Sequence, residues 1–236
     1  MNPAFYCSDN IAAEKQESVI LLHGLLRSYR SMNKLEKALQ QAGYHTINCD
    51  YQSSRYSIEA LSEAAIPATL SRCPPDITVH FVTHSLGGIL LRHYLRNHQI
   101  DNLGRVVMLA PPNKGSELAD WLKPYWLYRR IFGPTGMQLG TEPSSFVNQL
   151  GDANFELGVI AGTRAINLLF APVLPQPNDG TVTVASTKLE GMTDHISLPA
   201  SHPFIMRNKQ VIRQVLNFLK DGRFNQVQQR PVPDQQ

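Results

Sequence analysis

Residues 77–96 read ITVHFVTHSLGGILLRHYLR. The first half is apolar, with β-branched side chains at Ile77, Val79 and Val82; the second sets Ile89, Leu90, Tyr94 and Leu95 at helical spacing. That change of period predicts a strand, a sharp turn and a helix, and the turn holds Ser85. Gly87 and Gly88 leave room for strand and helix to close on each other, which pushes a serine hydroxyl out at the C-terminal edge of a sheet, as in a nucleophile elbow. The N–H of Leu86, at the helix start, would point where a tetrahedral oxyanion sits. Thr83 stands where the pattern G-x-S-x-G has its first glycine. The short motif therefore reads equally as an ordinary βα turn, and the rest of the chain has to decide.

Upstream, residues 18–22 (SVILL), apolar from Val19 on, form a run of the kind buried on both faces of a parallel sheet. Gly24 follows after His23 and permits a turn that frees the N–H of Leu25 to face a cleft. With Leu86 it would make a two-donor oxyanion hole, while His23 reads as a brace for the turn rather than a base. Residues 32–42 carry Met32, Leu35, Leu39 and Ala42 on one face, a helix stopped by Gly43. Residues 44–49 read as a strand. Ser57 can cap a helix with Ile58, Leu61, Ala65 and Ala68 inward, which Pro67 should kink or interrupt. Three βα repeats before residue 100 predict an α/β fold, a mostly parallel sheet with helices on both faces.

Downstream, residues 105–110 read as another buried strand, and then the alternation fails. Residues 113–150 hold both tryptophans with Tyr125, Tyr128 and Phe132, broken by Pro124, Gly133, Pro134 and Gly136. An aromatic insertion on the edge where Ser85 emerges suits a lid or the wall of an apolar acyl pocket. Strands are expected at 157–162, 181–184 and 196–198, and a last helix at 204–220. Residues 1–220 thus read as one domain, with 1–16 a loosely held lead-in and 221–236 a disordered tail.

A serine needs a base, and the base needs a carboxylate to fix its tautomer; on such a sheet the chain order is Ser, acid, His. Asp179, in the turn Asn178-Asp179-Gly180, lies in a loop after a strand and is the acid expected. Asp194 sits close in sequence to the base, and Asp152 precedes its strand and belongs to the opposite edge. His202, between the last strand and the last helix, is the expected base. His195 should fall on the other edge, and His84 is tied to the elbow. His45, His80, His93 and His98 read as packing or surface residues, with no metal-ligand spacing among them. No metal or cofactor is expected.

The 236 residues carry a net charge of +3 with no basic stripe, which argues against a nucleic-acid partner. Cys7, Cys49 and Cys73 lack C-x-x-C spacing and read as incidental thiols of a reducing compartment. With no apolar run of signal or membrane length, a cytoplasmic protein is the expectation.

The segments LLHGL (21–25), THSLGGILLRHYL (83–95), VVMLAPPNKGSELAD (106–120), NDGTVTV (178–184) and SHPFIM (201–206) together resemble the α/β-hydrolase superfamily. Within it the chain is similar to bacterial lipases and esterases and to the group of the GPI-inositol deacylases. The resemblance implies an eight-stranded, mostly parallel sheet, a Ser85–Asp179–His202 triad and an oxyanion hole from Leu25 and Leu86. The leading expectation is a serine hydrolase of carboxylic esters; the apolar insertion suggests a hydrophobic acyl group in a small ester substrate, with contact to a membrane surface open. Thioester hydrolysis or acyl transfer by the same triad, or a non-catalytic member that binds a lipid or a partner, are the rival expectations.

Overall fold

The computed structural model describes residues 6–10, 17–166 and 174–225. Its strands in chain order are β1 (Tyr6–Asn10), β2 (Glu17–Leu22), β3 (His45–Asp50), β4 (Thr78–His84), β5 (Leu103–Leu109), β6 (Leu157–Gly162) and β7 (Asp194–Leu198). They form one sheet in the order β1-β3-β2-β4-β5-β6-β7, in which only the β1–β3 pair is antiparallel. The expected eight strands are therefore seven among the described residues.

Helices α1 (Asn33–Gln41), α2 (Ile58–Leu70), α3 (Leu86–Asn97), α4 (Glu117–Leu122), α5 (Trp126–Met137), α6 (Val184–Thr187) and α7 (Lys209–Asp221) complete the fold. Alternation along the strands sends side chains to opposite faces, and the core divides accordingly. Ile20, Leu22, Phe81 and Met108 pack with Ile58, Leu61, Ile89 and Leu90 on the α2–α3 side. Val19, Leu21, Val82 and Leu109 pack with Leu35, Leu39, Val215 and Phe218 on the α1–α7 side.

Parallel pairing brings the C-terminal ends of β2 and of β4 to β7 to one edge. Leu22 lies opposite Thr83, His84 opposite Leu109, and Gly162 opposite Leu198. The turns after β2, β4, β6 and β7 are thereby neighbours although they are far apart in sequence.

Five local expectations change. The lead-in contains β1, whose Cys7 faces Cys49 of β3 and is joined to it by a disulfide across 42 residues; Cys73 alone is a free thiol. Antiparallel pairing at the sheet edge, invisible in cysteine spacing, creates that link. The bond removes the cysteine argument for a reducing compartment, since disulfides persist in oxidising ones. Residues 181–184 do not make a strand. One bridge joins Asn178 to Thr183, whose hydroxyl caps α6 by accepting the Ser186 N–H, a local bond that outcompetes β propensity. The last helix is divided: a 3-10 turn at His202–Arg207 precedes α7, and the Asn208 side chain caps α7 by accepting the Gln210 and Val211 N–H groups. Finally, Phe224, placed in the expected tail, is buried against Phe218, and its N–H donates to Asp194. Helix α2 runs through Pro67 without a break.

Candidate active site

The turn between β4 and α3 is held in a conformation most residues avoid. Ser85 has φ 51° and ψ −116°, a positive-φ geometry that costs a non-glycine residue energy and persists only where the surroundings fix it. Two bonds do so: the Ser85 N–H donates to Leu109 O at 2.9 Å, and Ser85 O accepts the Gly88 N–H at 3.1 Å. Gly87 makes the close approach possible, because a Cβ there would stand 2.6 Å from Leu22 O. Thr83 is fully buried, and the space for it comes from across the turn: a Cβ on Gly88 would lie 3.1 Å from Thr83 Oγ1.

The loop after β7 brings His202 to this serine. Its Nε2 is 3.1 Å from Ser85 Oγ and its Nδ1 is 2.7 Å from Asp179 Oδ2. With Nδ1–H donating to the carboxylate, Nε2 turns its lone pair toward the serine hydroxyl. Asp179 is 1 % exposed, yet none of its polar atoms is stranded. Oδ1 accepts the N–H groups of Thr181 at 3.0 Å and Val182 at 2.8 Å, and the Asp179 carbonyl accepts the His202 N–H at 3.1 Å. Each oxygen of the buried carboxylate thus has a donor, which offsets the cost of taking it out of water. Gly162, at the end of β6, lets the loop close, since a Cβ there would sit 2.8 Å from Asp179 Cβ and 2.5 Å from Ala200 O.

The other candidates fall elsewhere. Asp194 begins β7 and accepts the N–H groups of His195 and Phe224. His195 lies in β7 with Nε2 3.2 Å from Thr187 Oγ1. Asp152 lines a separate hollow with Arg92 and Arg96. His23 braces the β2 turn: Nδ1 donates to Gly24 O at 2.8 Å, Nε2 stands 3.1 Å from Asp50 Oδ1, and the ring stacks on Tyr51 at 4.0 Å. Beside it, the Leu26 N–H goes to Ser53 Oγ and the Arg27 N–H to Gly24 O. Leu25 lies between these committed donors and lines the same cleft as Ser85. Leu86 opens α3, so its N–H has no acceptor within the helix.

Sequence reasoning missed the part taken by His84. Instead of holding the elbow, its Nε2 reaches across to the backbone carbonyl of His202 at 3.1 Å. A carbonyl only accepts, so Nε2 carries the proton and Nδ1 is left facing Gly24, where a Cβ would come within 2.7 Å. Burial, and then the neighbouring His202 charge, push the His84 pKa well below the ordinary imidazole value. The ring therefore stays neutral beside His202. Alternation along β4 puts His84 on the same face as Val82, the face covered by the 202–207 turn, and that was the available signal.

Above Ser85 lies a narrow cleft of about 80 Å³ whose far wall is the insertion. Leu118, Ala119 and Leu122 of α4 and Tyr128 and Phe132 of α5 line it, with Tyr128 and Phe132 stacked at 4.5 Å. Burial raises the Tyr128 pKa to about 12, and its hydroxyl donates to Gly136 O. The insertion is tied down at both ends, by Ser116 Oγ to Thr181 O and by Thr135 Oγ1 to Tyr56 O. Among the described residues no group of three or more His, Cys, Asp or Glu side chains could hold a metal ion.

No protein-family model and no curated protein matches the chain by sequence. Solved structures do match it. The mature lipase BlEst2 of Bacillus licheniformis superposes over 91 % of this chain and 98 % of its own with a TM-score of 0.71 at 19 % identity. The chain has the α/β-hydrolase fold. The phospholipase PlaB of Legionella pneumophila, solved with thio-NAD, shares that fold over 85 % of this chain and 56 % of its own, with a TM-score of 0.67 and 19 % identity. So does the haloalkane dehalogenase DpaA of Paraglaciecola agarilytica, over 89 % of this chain and 86 % of its own, at 0.61 and 12 % identity. An α/β-hydrolase fold that carries both lipases and a dehalogenase leaves the chemistry to be argued from the site.

Proposed function

We propose that the protein is a serine hydrolase of carboxylic esters with Ser85 as nucleophile, His202 as general base and acid, and Asp179 as the group that orients His202. The observation that carries this reading is the unbroken hydrogen-bonded chain Ser85 Oγ, His202 Nε2, His202 Nδ1, Asp179 Oδ2, at 3.1 and 2.7 Å, opening into an apolar cleft. Ser85 Oγ attacks the acyl carbonyl while its proton passes to His202 Nε2. The tetrahedral oxyanion takes the N–H groups of Leu25 and Leu86, each such donor being worth on the order of 3 kcal/mol in the barrier. His202 returns the proton to the departing alkoxide, leaving an acyl-serine and an alcohol. Water, deprotonated by the same nitrogen, then releases the acid and restores Ser85.

The aromatic and aliphatic wall formed by α4 and α5 fits a hydrophobic acyl chain, and we read the 113–150 insertion as the wall that selects it. The fold shared with a lipase and a phospholipase accords with this substrate class. The test is labelling with a fluorophosphonate and peptide mapping, alongside turnover of p-nitrophenyl esters of rising chain length. A phosphonyl adduct on Ser85, and loss of turnover in a folded Ser85→Ala variant, are expected. Turnover by Ser85→Ala at the wild-type rate would end the assignment. Added alcohols, if they divert the acyl-enzyme more readily than water does, would turn the reading toward acyl transfer.

A further inference from the structure

Soluble proteins scatter single exposed hydrophobic residues over their surface, and only a concentration of them calls for a cause. Here the concentration is complete. Among the described residues eight large apolar side chains are exposed, and every one follows the C-terminal end of a sheet strand, on the edge where Ser85 emerges. Leu26 lies in the turn after β2, Ile166 after β6, and Phe204 two residues beyond His202. The other five are on the α4–α5 hairpin: Trp121, Tyr125, Trp126, Leu127 and Ile131.

The hairpin is apolar on two sides. Its inner side chains, such as Leu122 and Phe132, line the cleft above Ser85, and its outer ones face solvent, Trp126 at 72 % and Tyr125 at 55 % exposure. Packing onto the domain accounts for the inner set alone.

Cations adjoin each of these apolar groups, while the acidic residues of α4 are bonded within the fold, Asp120 to Lys123 and Thr141 and Glu117 to Thr183 and Ser186. Arg27 adjoins Leu26, Arg129 and Arg130 sit between Leu127 and Ile131, Arg164 is two residues from Ile166, and Arg207 is three from Phe204; all five arginines are exposed. Arg164, Ile166, Phe204 and Arg207 share one surface hollow. Segments 23–31, 121–134, 163–166 and 199–208 contain no Asp or Glu. Exposed Trp, Tyr and Leu ringed by arginines is the composition of a surface that settles in the headgroup region of an anionic bilayer, the aromatic rings at the acyl boundary and the cations on phosphate.

We infer that this edge of the molecule docks on an anionic phospholipid surface, with the α4–α5 hairpin inserted and the cleft above Ser85 opening toward the lipid. The consequence for substrate, a membrane-resident ester, rests on the ester-hydrolase reading; the docking itself does not.

Trp121 and Trp126 are the only two tryptophans of the chain, so intrinsic fluorescence reports on the hairpin alone. The experiment adds vesicles of phosphatidylcholine, with or without phosphatidylglycerol, to the full chain. It follows emission, quenching by brominated acyl chains, and cosedimentation. A blue shift and quenching with the phosphatidylglycerol vesicles are expected, weakening as salt rises. Arg129→Gln with Arg130→Gln should weaken vesicle binding by about 30-fold, roughly five- to sixfold per cation removed, while turnover of a soluble p-nitrophenyl ester stays unchanged. Ser85→Ala should bind vesicles like the wild type, so docking and hydrolysis fail separately. No emission change with anionic vesicles would overturn the inference. So would equal binding to neutral vesicles, or burial of the tryptophans by self-association in lipid-free buffer.

Discussion

Replacing Asp179 by Asn tests the candidate triad more sharply than removing the nucleophile, because the structure dictates how the new side chain must sit. Asp179 Oδ1 receives two backbone N–H groups, from Thr181 at 3.0 Å and Val182 at 2.8 Å. An asparagine must keep its oxygen there, since the opposite amide orientation would set an NH₂ group against two N–H donors. The NH₂ group then faces His202 Nδ1, which can only accept. The ring proton is forced onto Nε2, the nitrogen 3.1 Å from Ser85 Oγ, and no lone pair remains to take the serine proton. Triads with the wrong tautomer lose roughly 10⁴ in kcat, about 5.5 kcal/mol of barrier. The bonds at Asp179 survive with one donor reversed, so the fold and KM should change little. The assay is kcat and KM on a soluble p-nitrophenyl ester, with the rate of fluorophosphonate labelling falling in parallel. Asp194→Asn serves as control, because its carboxylate serves only the His195 and Phe224 amides, and its kcat should stay within about twofold of wild type. Asp179→Asn within about tenfold of wild-type kcat, or the large loss appearing at Asp194 instead, would refute the reasoning.

Two other predictions concern residues that hold the site in place. His84→Phe strips the His202 carbonyl of its donor, a loss of about 1–3 kcal/mol that should lower kcat by about 5- to 150-fold at unchanged KM, with His84→Gln recovering part of it through an amide N–H. A folded His84→Phe variant with full kcat would remove His84 from the machinery. The same ring gives stability a pH sign. Burial lowers the pKa of His84 and also of His80 and His195, so the unfolded chain binds these protons first as pH falls. The stability they contribute is complete above about pH 6.5 and is lost below it as pH drops toward the lowered folded values, by up to about 1.4 kcal/mol per pH unit for each ring. Urea midpoints between neutral and acid pH should show this slope, less steep by one proton in His84→Gln; a flat profile would contradict it. Gly88→Ala sets helix propensity, a gain of up to about 1 kcal/mol, against a Cβ 3.0 Å from Met108 Sδ and 3.1 Å from Thr83 Oγ1. It should destabilise the wild type yet stabilise a Thr83→Gly background, and a double-mutant cycle without coupling would deny that the two positions share one space.

What could be read in the sequence was whatever depends on near neighbours. The period change across residues 77–96, the glycine two residues after the 18–22 run, and the order of Ser85, Asp179 and His202 all follow from contiguous residues and one sheet rule. What escaped depends on contacts across the chain. Cys7 meets Cys49 only because β1 pairs antiparallel at the sheet edge. Residues 181–184 have β-branched side chains but lead into α6, with the Thr183 hydroxyl as its cap. His84 reaches the carbonyl of a residue 118 positions away.

Thr83 shows why a motif read letter by letter understates its own evidence. The first glycine of G-x-S-x-G provides space where strand and helix pack most closely, and space belongs to the contact rather than to one position. In this chain the volume of Thr83 is met by the missing side chain of Gly88 on α3, with Met108 of β5 closing the third side. The second glycine of the pattern, Gly87, keeps its place because its demand is set by backbone: a Cβ there would strike Leu22 O and His23 O at 2.6 and 3.0 Å. A position whose neighbour is a side chain can trade its bulk with that neighbour, whereas one whose neighbour is a carbonyl cannot. The departure at Thr83 and the retention of Gly87 are therefore two results of the same packing, and the Ser85 backbone strain they enclose is unaffected by the exchange.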